Sequence, residues 1–334
     1  MLARVAARGF TSAPLGARLE RFLLERTWTA RSADMLDRYL VSGYQNPRIN
    51  VQSILLRHFL ITRIGGTGFD DLTEGELRLA VELNEVLRLR AAELGVTMGS
   101  FLNPAKQAAV RRVDESIADR EHAFAERWAE ALGGIDGPRI SVLELACGSA
   151  NDYRAFVEYG VAPHLDYRGI DITEKNVMNA RRRFPEVPFE VGDVRSLPYG
   201  DGEFDFVIAS DVFEHLSLDG MELALDEAMR VARRGLALTF FNMGEAPDHE
   251  VRPTRLYHWN RLSRPRVEAR LRERFPAVTA VPIAAWLRER HGYAHSYNGH
   301  AYSLFAEIGS AEASAQAPSA TSNAHGPAIG RCLN

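Results

Sequence analysis

Between Ala17 and Leu132, apolar residues recur at intervals of three and four in LERFLLERTW, ADMLDRYLVSGY, INVQSILLRHFLI, LRLAVELNEVLRL and AAVRRVDESIADREHAFAERWAEAL. That period gathers each segment's apolar side chains on one stripe, so a helical region is expected over 17–132. Thr73 followed by Glu76 predicts a capping box at the start of the fourth helix. Gly65, Gly66 and Gly68 read as an interhelix turn, since no Lys with Ser or Thr follows them, as a phosphate loop requires. After Gly133 the pattern changes to RISVLELA, YRGIDI, FEVGDV, FDFVIASDV, GLALTFFN, VTAVPIA and YSLFAEIG, with helical stretches between most of them. Such alternation predicts a parallel sheet covered on both faces. A helix is expected from Pro265 to Phe275, and only the loop RERHGYAHSYNGHA between the last two strands, which should therefore run antiparallel. The expected fold is α/β: a doubly wound, seven-stranded, mostly parallel sheet with a C-terminal antiparallel hairpin, preceded by an α-helical domain.

Composition narrows this picture at the ends. Residues 1–16 are expected to be a flexible N-terminus; Arg4, Arg8 and Arg18 precede the first acid, Glu20, as in an organellar transit peptide, but an ordinary N-terminus is the reading adopted. Residues 310–334 are rich in Ala, Ser, Gly and Pro, and are expected to be disordered. The organisation expected is 1–16, a helical domain over 17–132, an α/β domain over 133–309, and the tail. With 334 residues, 46% of them hydrophobic, the chain can bury a full core. A net charge of −4 gives no global attraction to nucleic acid or an anionic membrane, even though Arg far outnumbers Lys106 and Lys175. No apolar run approaches the roughly 20 residues of a spanning helix. Cys147 and Cys332 lie far apart and imply neither disulfide nor metal framework, which fits a reducing cytoplasm.

In a doubly wound sheet, ligands bind beyond the carboxyl ends of the strands, and the informative residues cluster there. Glu144, Leu145, Ala146, Cys147, Gly148, Ser149 and Ala150 lead from the first strand into a helix whose N-terminal amides lack partners. The second strand ends at Asp171-Ile172, a carboxylate placed to accept from both hydroxyls of a ribose. Gly192-Asp193-Val194 ends the third, with a carboxylate suited to an adenine amino group and a neighbouring amide for a ring nitrogen. Asp211-Val212-Phe213-Glu214-His215 ends the fourth.

This ordered set resembles the class I S-adenosylmethionine-dependent methyltransferases over roughly 137–308, through ELACGSA, GIDI, VGDV, FDFVIASDVFEHL and the closing pair of strands. The resemblance implies S-adenosylmethionine as cofactor and maps Glu144, Ala146, Gly148, Asp171, Asp193 and Asp211 onto cofactor-binding positions. Cys147, Ser149, Ala150, Ile172, Gly192, Val194, Val212 and Phe213 are expected beside them, with Cys147 as a small lining residue and not a nucleophile. Ala150 departs from the family, standing where a third glycine is usual. A nicotinamide dehydrogenase is the nearest rival on the same fold, but it wants G-x-G-x-x-G and this turn offers one glycine.

A small-molecule acceptor is expected, methylated at oxygen, nitrogen or activated carbon by an in-line displacement governed mainly by positioning. Where a proton must leave, the candidate bases are His215, His249 and His258, the last two in the long segment after the fifth strand, with Tyr257, Trp259 and Asn260 beside them. The helical region is expected to form a lid, an acceptor pocket or a homodimer interface. Eight arginines between Arg252 and Arg274 read as a solvated helix face rather than an anion site. A non-catalytic cofactor-binding scaffold and a macromolecular methyltransferase are the alternatives. No added RNA-binding module accompanies the fold, and DVFEHL replaces the asparagine-proline signature of amino and nitrogen-base methyltransferases.

Overall fold

The computed structural model describes residues 46–65, 67–96, 107–254, 257–293 and 299–309. The expected flexible start, the helices expected in LERFLLERTW and ADMLDRYLVSGY, and the tail 310–334 lie outside the described residues.

Three helices precede the sheet: α1 (Val51–Arg63), α2 (Asp70–Glu93) and α3 (Gln107–Leu132). The Asn50 side chain caps α1 by accepting from the Gln52 amide. Nearly every side of α1 is buried, which places it inside the molecule rather than on its surface. The capping box expected at Thr73 and Glu76 does not form. The helix α2 already begins at Asp70, where Asp70 and Asp71 favour the positive end of the helix dipole, and the Thr73 hydroxyl donates back to the carbonyls of Phe69 and Asp70. Glu76 is buried instead against Arg57 and His58 of α1.

The α/β part follows in order: β1 (Ile140–Leu145), α4 (Asn151–Glu158), β2 (Leu165–Asp171), α5 (Glu174–Arg183), β3 (Phe189–Val191), β4 (Phe204–Ser210), α6 (Leu218–Val231) and β5 (Ala232–Phe240). Then come the two-residue strands β6 (Met243–Gly244) and β7 (Leu262–Ser263), α7 (Arg264–Arg272), β8 (Ala277–Pro282), α8 (Ile283–His291) and β9 (Tyr302–Glu307). Seven strands form one sheet in the order β3-β2-β1-β4-β5-β9-β8, parallel through β5, with β9 antiparallel to both β5 and β8. β6 and β7 pair separately.

One expectation about the last two strands needs correcting. They pair antiparallel, but α8 lies between them, not a loop alone. VTAVPIA reads as one apolar run, yet the strand stops at Pro282, which has no N–H to give a ladder. Ile283 and Leu287, four apart, then bury one face of a new helix, which closes at Gly292 in the left-handed conformation, φ 64°.

Alternate residues of the central strands enter different cores. Val142, Phe206, Ile208 and Ala237 face α1, α3, α4 and α5, whereas Leu143, Leu145, Val207, Ala209, Leu236 and Leu238 face α6 and α7. Cover on both faces explains why strands such as FDFVIAS are apolar at nearly every position. The change of pattern at Gly133 is not a break in the core, because Phe59 of α1 packs its ring 5.3 Å from that of Phe206 and 5.2 Å from that of Phe305. Gln52 of α1 donates to the carbonyls of Phe240 and Tyr302, both at 3.2 Å, and so ties the helix across the end of β5 and the start of β9. Beneath it the Arg57 guanidinium, 0% exposed, pairs with Glu76 and stacks 4.1 Å from the centre of the Tyr159 ring.

Candidate functional site

The turn after β1 is shaped by three left-handed residues, Ala146 at φ 53°, Gly148 at φ 54° and Ala150 at φ 61°. A Cβ added to Gly148 would meet nothing within 4 Å, so the glycine serves the backbone conformation and not close packing. The two alanines hold the same conformation at a cost of about 1–2 kcal/mol each. Asp171 at the end of β2 staples this turn: its carboxylate accepts from the Gly148 amide at 2.9 Å and the Thr173 amide at 2.7 Å. Asn176 adds a longer contact at 3.3 Å. A β-branched residue in the left-handed region is a severe outlier. Ala146→Val is therefore expected to lower stability by about 2 kcal/mol and to intrude on the cleft that Ala146 lines. Thermal denaturation beside a ligand titration checks both; an unchanged melting temperature would refute the strain.

A cleft of about 520 Å³ runs across the strand ends. Ala146, Ile172, Asp193, Val194 and Arg195 line one part, and Val212, His215, Leu216, Ser217, Thr254, Tyr257 and His258 the other. Ile172 is 67% exposed beside Asp171, an apolar side chain with only water to cover it. Asp193 pairs with the Arg195 guanidinium at 2.6 Å, and this hydrogen bond holds its carboxyl below the usual range. Gly192 has a packing reason to be glycine, since a Cβ there would come within 2.4 Å of the Ile170 side chain.

At the end of β4, Asp211 takes the left-handed conformation at φ 54° and turns the chain into a short 3-10 segment, Phe213–His215. The His215 ring lies 3.2 Å from an Asp211 carboxylate oxygen through Nε2 and 3.2 Å from the His258 carbonyl through Nδ1. Burial alone would depress its pKa, but Asp211, joined by Glu214, reverses this and raises it above the ordinary histidine value. Backbone bonds lace the segment after β5 to the same turn: His258 N to His215 O at 3.2 Å and Asn260 N to Glu214 O at 2.9 Å. The Asn260 side chain donates to Leu216 O at 2.8 Å.

Glu214 is fully buried; one carboxylate oxygen accepts from the Phe241 amide at 2.6 Å and the other has no partner among the described residues. Burial, reinforced by the Asp211 charge, pushes it up from 4.5 to about 7. An acid whose folded pKa is raised stabilises fully below its unfolded value and loses that contribution as the pH climbs. Here the loss falls between about pH 4.5 and pH 7. Glu214→Gln keeps an acceptor for Phe241 and removes the penalty. It is expected to stabilise by about 1–2 kcal/mol near pH 8 and to change little near pH 5. Urea melts at both pH values check this, and equal effects at the two would contradict it.

The other expected site residues divide by the direction of their side chains. Cys147 and Ala150 are buried in the core beneath α4, and Phe213 in the opposite core with its ring 5.5 Å from that of Phe240. None of the three lines the cleft. Burial, first, pushes the Cys147 thiol far above its ordinary range, consistent with its expected lack of nucleophilic character. Ser149 contacts Asn179 at 3.5 Å. Glu144 is buried, accepts from the Tyr167 hydroxyl, and is held well above the carboxylate range by burial and then by Asp152. His249 is outside the cleft lining; its Nδ1 accepts from the Ser263 amide at 2.9 Å, and burial with the Arg266 charge lowers its pKa. Of the arginine-rich stretch, Arg252, Arg264, Arg266, Arg270 and Arg272 pair with acids, as a solvated face should; Arg255 lies outside the described residues. Sequence reasoning missed Arg195, Leu216, Ser217 and Thr254. Only Ser217 carried a signal, as the N-cap of α6 accepting from Gly220 N at 3.1 Å.

Residues 142–235 match the model of a methyltransferase domain. An uncharacterised 37.1 kDa protein in a transposon of Streptomyces fradiae is 32% identical over 168 residues, 49% of this chain and 46% of that protein. The demethylmenaquinone methyltransferase of Renibacterium salmoninarum is 30% identical over 33% of this chain and 44% of its own length. The chain thus spans less than half the length of these curated relatives. Among solved structures, a Burkholderia thailandensis 1,6-didemethyltoxoflavin-N1-methyltransferase with 1,6-didemethyltoxoflavin and S-adenosylhomocysteine bound aligns at 18% identity and a TM-score of 0.38, over 62% of this chain and 91% of its own. The matched methyltransferase-domain segment spans β1 to the first half of β5 and so contains the strand ends that line the cleft.

Proposed function

We propose that this chain transfers a methyl group from S-adenosylmethionine to a small organic acceptor. The observation that carries the reading is the convergence of four consecutive strand ends on one cleft: Ala146 after β1, Ile172 after β2, Asp193 with Val194 after β3, and Val212 with His215 after β4, with Asp171 and Asp211 holding the turns beside it. The residues present fit the donor. A carboxylate has about four lone-pair sites; at Asp171 two serve backbone amides and a third the Asn176 side chain, which leaves one acceptor for a ribose hydroxyl. Ile172 and Val194 offer apolar cover to a flat base, and Asp193 an acceptor for its amino group. When bound, the donor supplies an electrophilic methyl on a sulfonium whose leaving group is a neutral thioether. The protein's own part is then alignment, because holding two reactants in line removes several kcal/mol of barrier.

A small acceptor is supported by the size of the cleft and by relatives named for demethylmenaquinone and norajmaline methylation. Among the described residues, no helix is long and apolar enough to cross a membrane. Calorimetric titration with S-adenosylmethionine is expected to give one saturable site, and NADH none. Incubation with the labelled donor and a metabolite extract from the source, followed by mass analysis, should then show one compound gaining a methyl group. Clear NADH binding, or no heat with the donor, would overturn the reading.

A further inference from the structure

Both ring nitrogens of His215 face acceptors, an Asp211 carboxylate oxygen and the His258 carbonyl, each at 3.2 Å. A neutral imidazole carries one N–H and could satisfy only one of them, setting a lone pair against an oxygen at the other; the imidazolium satisfies both. The groups around the ring agree with a cation. Asp211 and Glu214 face it from its own turn. From the segment after β5, Trp259 lies with its ring centre at 5.0 Å, tilted by 32°, and Tyr257 at 5.4 Å. An imidazolium has no lone pair, so His215 cannot take a proton from an acceptor.

His215 does, however, hold both backbone groups of His258: its carbonyl accepts from His258 N, and its Nδ1 donates to His258 O. The imidazole of His258 lines the cleft, half-buried, and makes no hydrogen bond among the described residues. His249 stands outside that lining. Of the charged groups that line the cleft, Asp193 and Arg195 pair with each other, and His215 pairs with Asp211, which stands outside that lining. The rest of the wall is largely apolar or aromatic, with Tyr257 51% exposed.

Resting on the methyl-transfer reading, we propose that His215 is a cationic positioning residue and that His258, which it fixes, is the proton acceptor for a flat, uncharged acceptor bearing a hydroxyl or N–H. The acceptor atom gives its proton to the neutral imidazole of His258 and uses its lone pair to form the new bond to the methyl carbon. The electron pair of the broken carbon–sulfur bond stays on sulfur, and His258 later passes the proton to solvent.

Nitrogen-15 spectra of the histidine rings test the charge states without any turnover, with assignments from His215→Gln and His258→Gln. Near neutral pH, His215 is expected to show protons on both nitrogens, and Asp211→Asn should move it back toward the ordinary histidine value. A bare nitrogen on His215 at that pH overturns the proposal. Using the acceptor found by mass analysis, His258→Gln should lower kcat by about a hundredfold and remove the acidic limb of its pH profile, with S-adenosylhomocysteine affinity unchanged. His215→Gln should keep that limb and raise KM, as misplacement of the acceptor wall would. A retained limb in His258→Gln with normal S-adenosylhomocysteine binding sinks this proposal alone. If wild type binds no S-adenosylhomocysteine, the donor reading fails, and the ring spectra still decide the charge states.

Discussion

Arg57→Ala is expected to lower the unfolding free energy by about 3–5 kcal/mol, a large share of what holds a typical domain together. The guanidinium is wholly buried in α1, donates to the Pro47 carbonyl at 2.5 Å, pairs with Glu76 and lies over the Tyr159 ring. Truncation leaves the Glu76 carboxylate in the core with His58 alone, at 2.6 Å, to face it. Burial by itself would raise Glu76, but Arg57 and then His58 outweigh it and hold the acid below its ordinary 4.5. A depressed acid stabilises above its unfolded pKa and loses that contribution as the pH falls, so wild type should weaken on acidification below about pH 4.5. The double variant Arg57→Met, Glu76→Leu removes both charges and should recover most of the loss, because an apolar pair of similar volume often replaces a buried ion pair at little cost. Urea denaturation of the three proteins separates these outcomes. A loss below about 1 kcal/mol in Arg57→Ala would mean that water reaches the pocket on truncation.

For the cleft, the largest effect is expected at Asp171. Replacement by Ala should weaken S-adenosylmethionine binding roughly a hundredfold, since hydrogen bonds to a charged group contribute about 1.5–3 kcal/mol and the same carboxylate shapes the turn. On the proposed reading two contributions go together: an acceptor for the ribose, and the staple that fixes the amides of Gly148 and Thr173. Asp171→Asn retains one acceptor oxygen and the volume, and should lose only about tenfold. Calorimetry gives the affinities and a melt reports the staple. Unchanged affinity in a folded Ala variant would confine Asp171 to holding the turn.

The strands were legible because layers on both faces force apolar residues at consecutive positions, and few other structures need FDFVIAS. Strand ends were legible for the same reason, as the polar residues that follow such a run, Asp171 or Ser210-Asp211, mark where the run stops. Side-chain direction was not. Cys147 and Phe213 adjoin cleft residues in sequence but point into opposite cores, because the left-handed turn after β1 and the 3-10 segment after β4 set their directions and neither has a period to read. Thr73 and Glu76 matched a local capping pattern that lost to a tertiary partner, Arg57, nineteen residues earlier. Arg195 and Thr254 reach the cleft from turns whose geometry no periodic pattern encodes.

Because β9 enters the sheet between β5 and β8, the edge of β5 has no hydrogen-bonding neighbour until residues 302–307 arrive. The Gln52 amide bridges the carbonyls at the end of β5 and the start of β9, so the seat of α1 is also complete only then. Pairings between such distant parts of a chain are slow to form, because a long loop must close before any contact rewards it. On the ribosome, α1 and the strands from β1 to β5 would therefore wait with an open, aggregation-prone edge, and the molecule would lock at both ends in one late step.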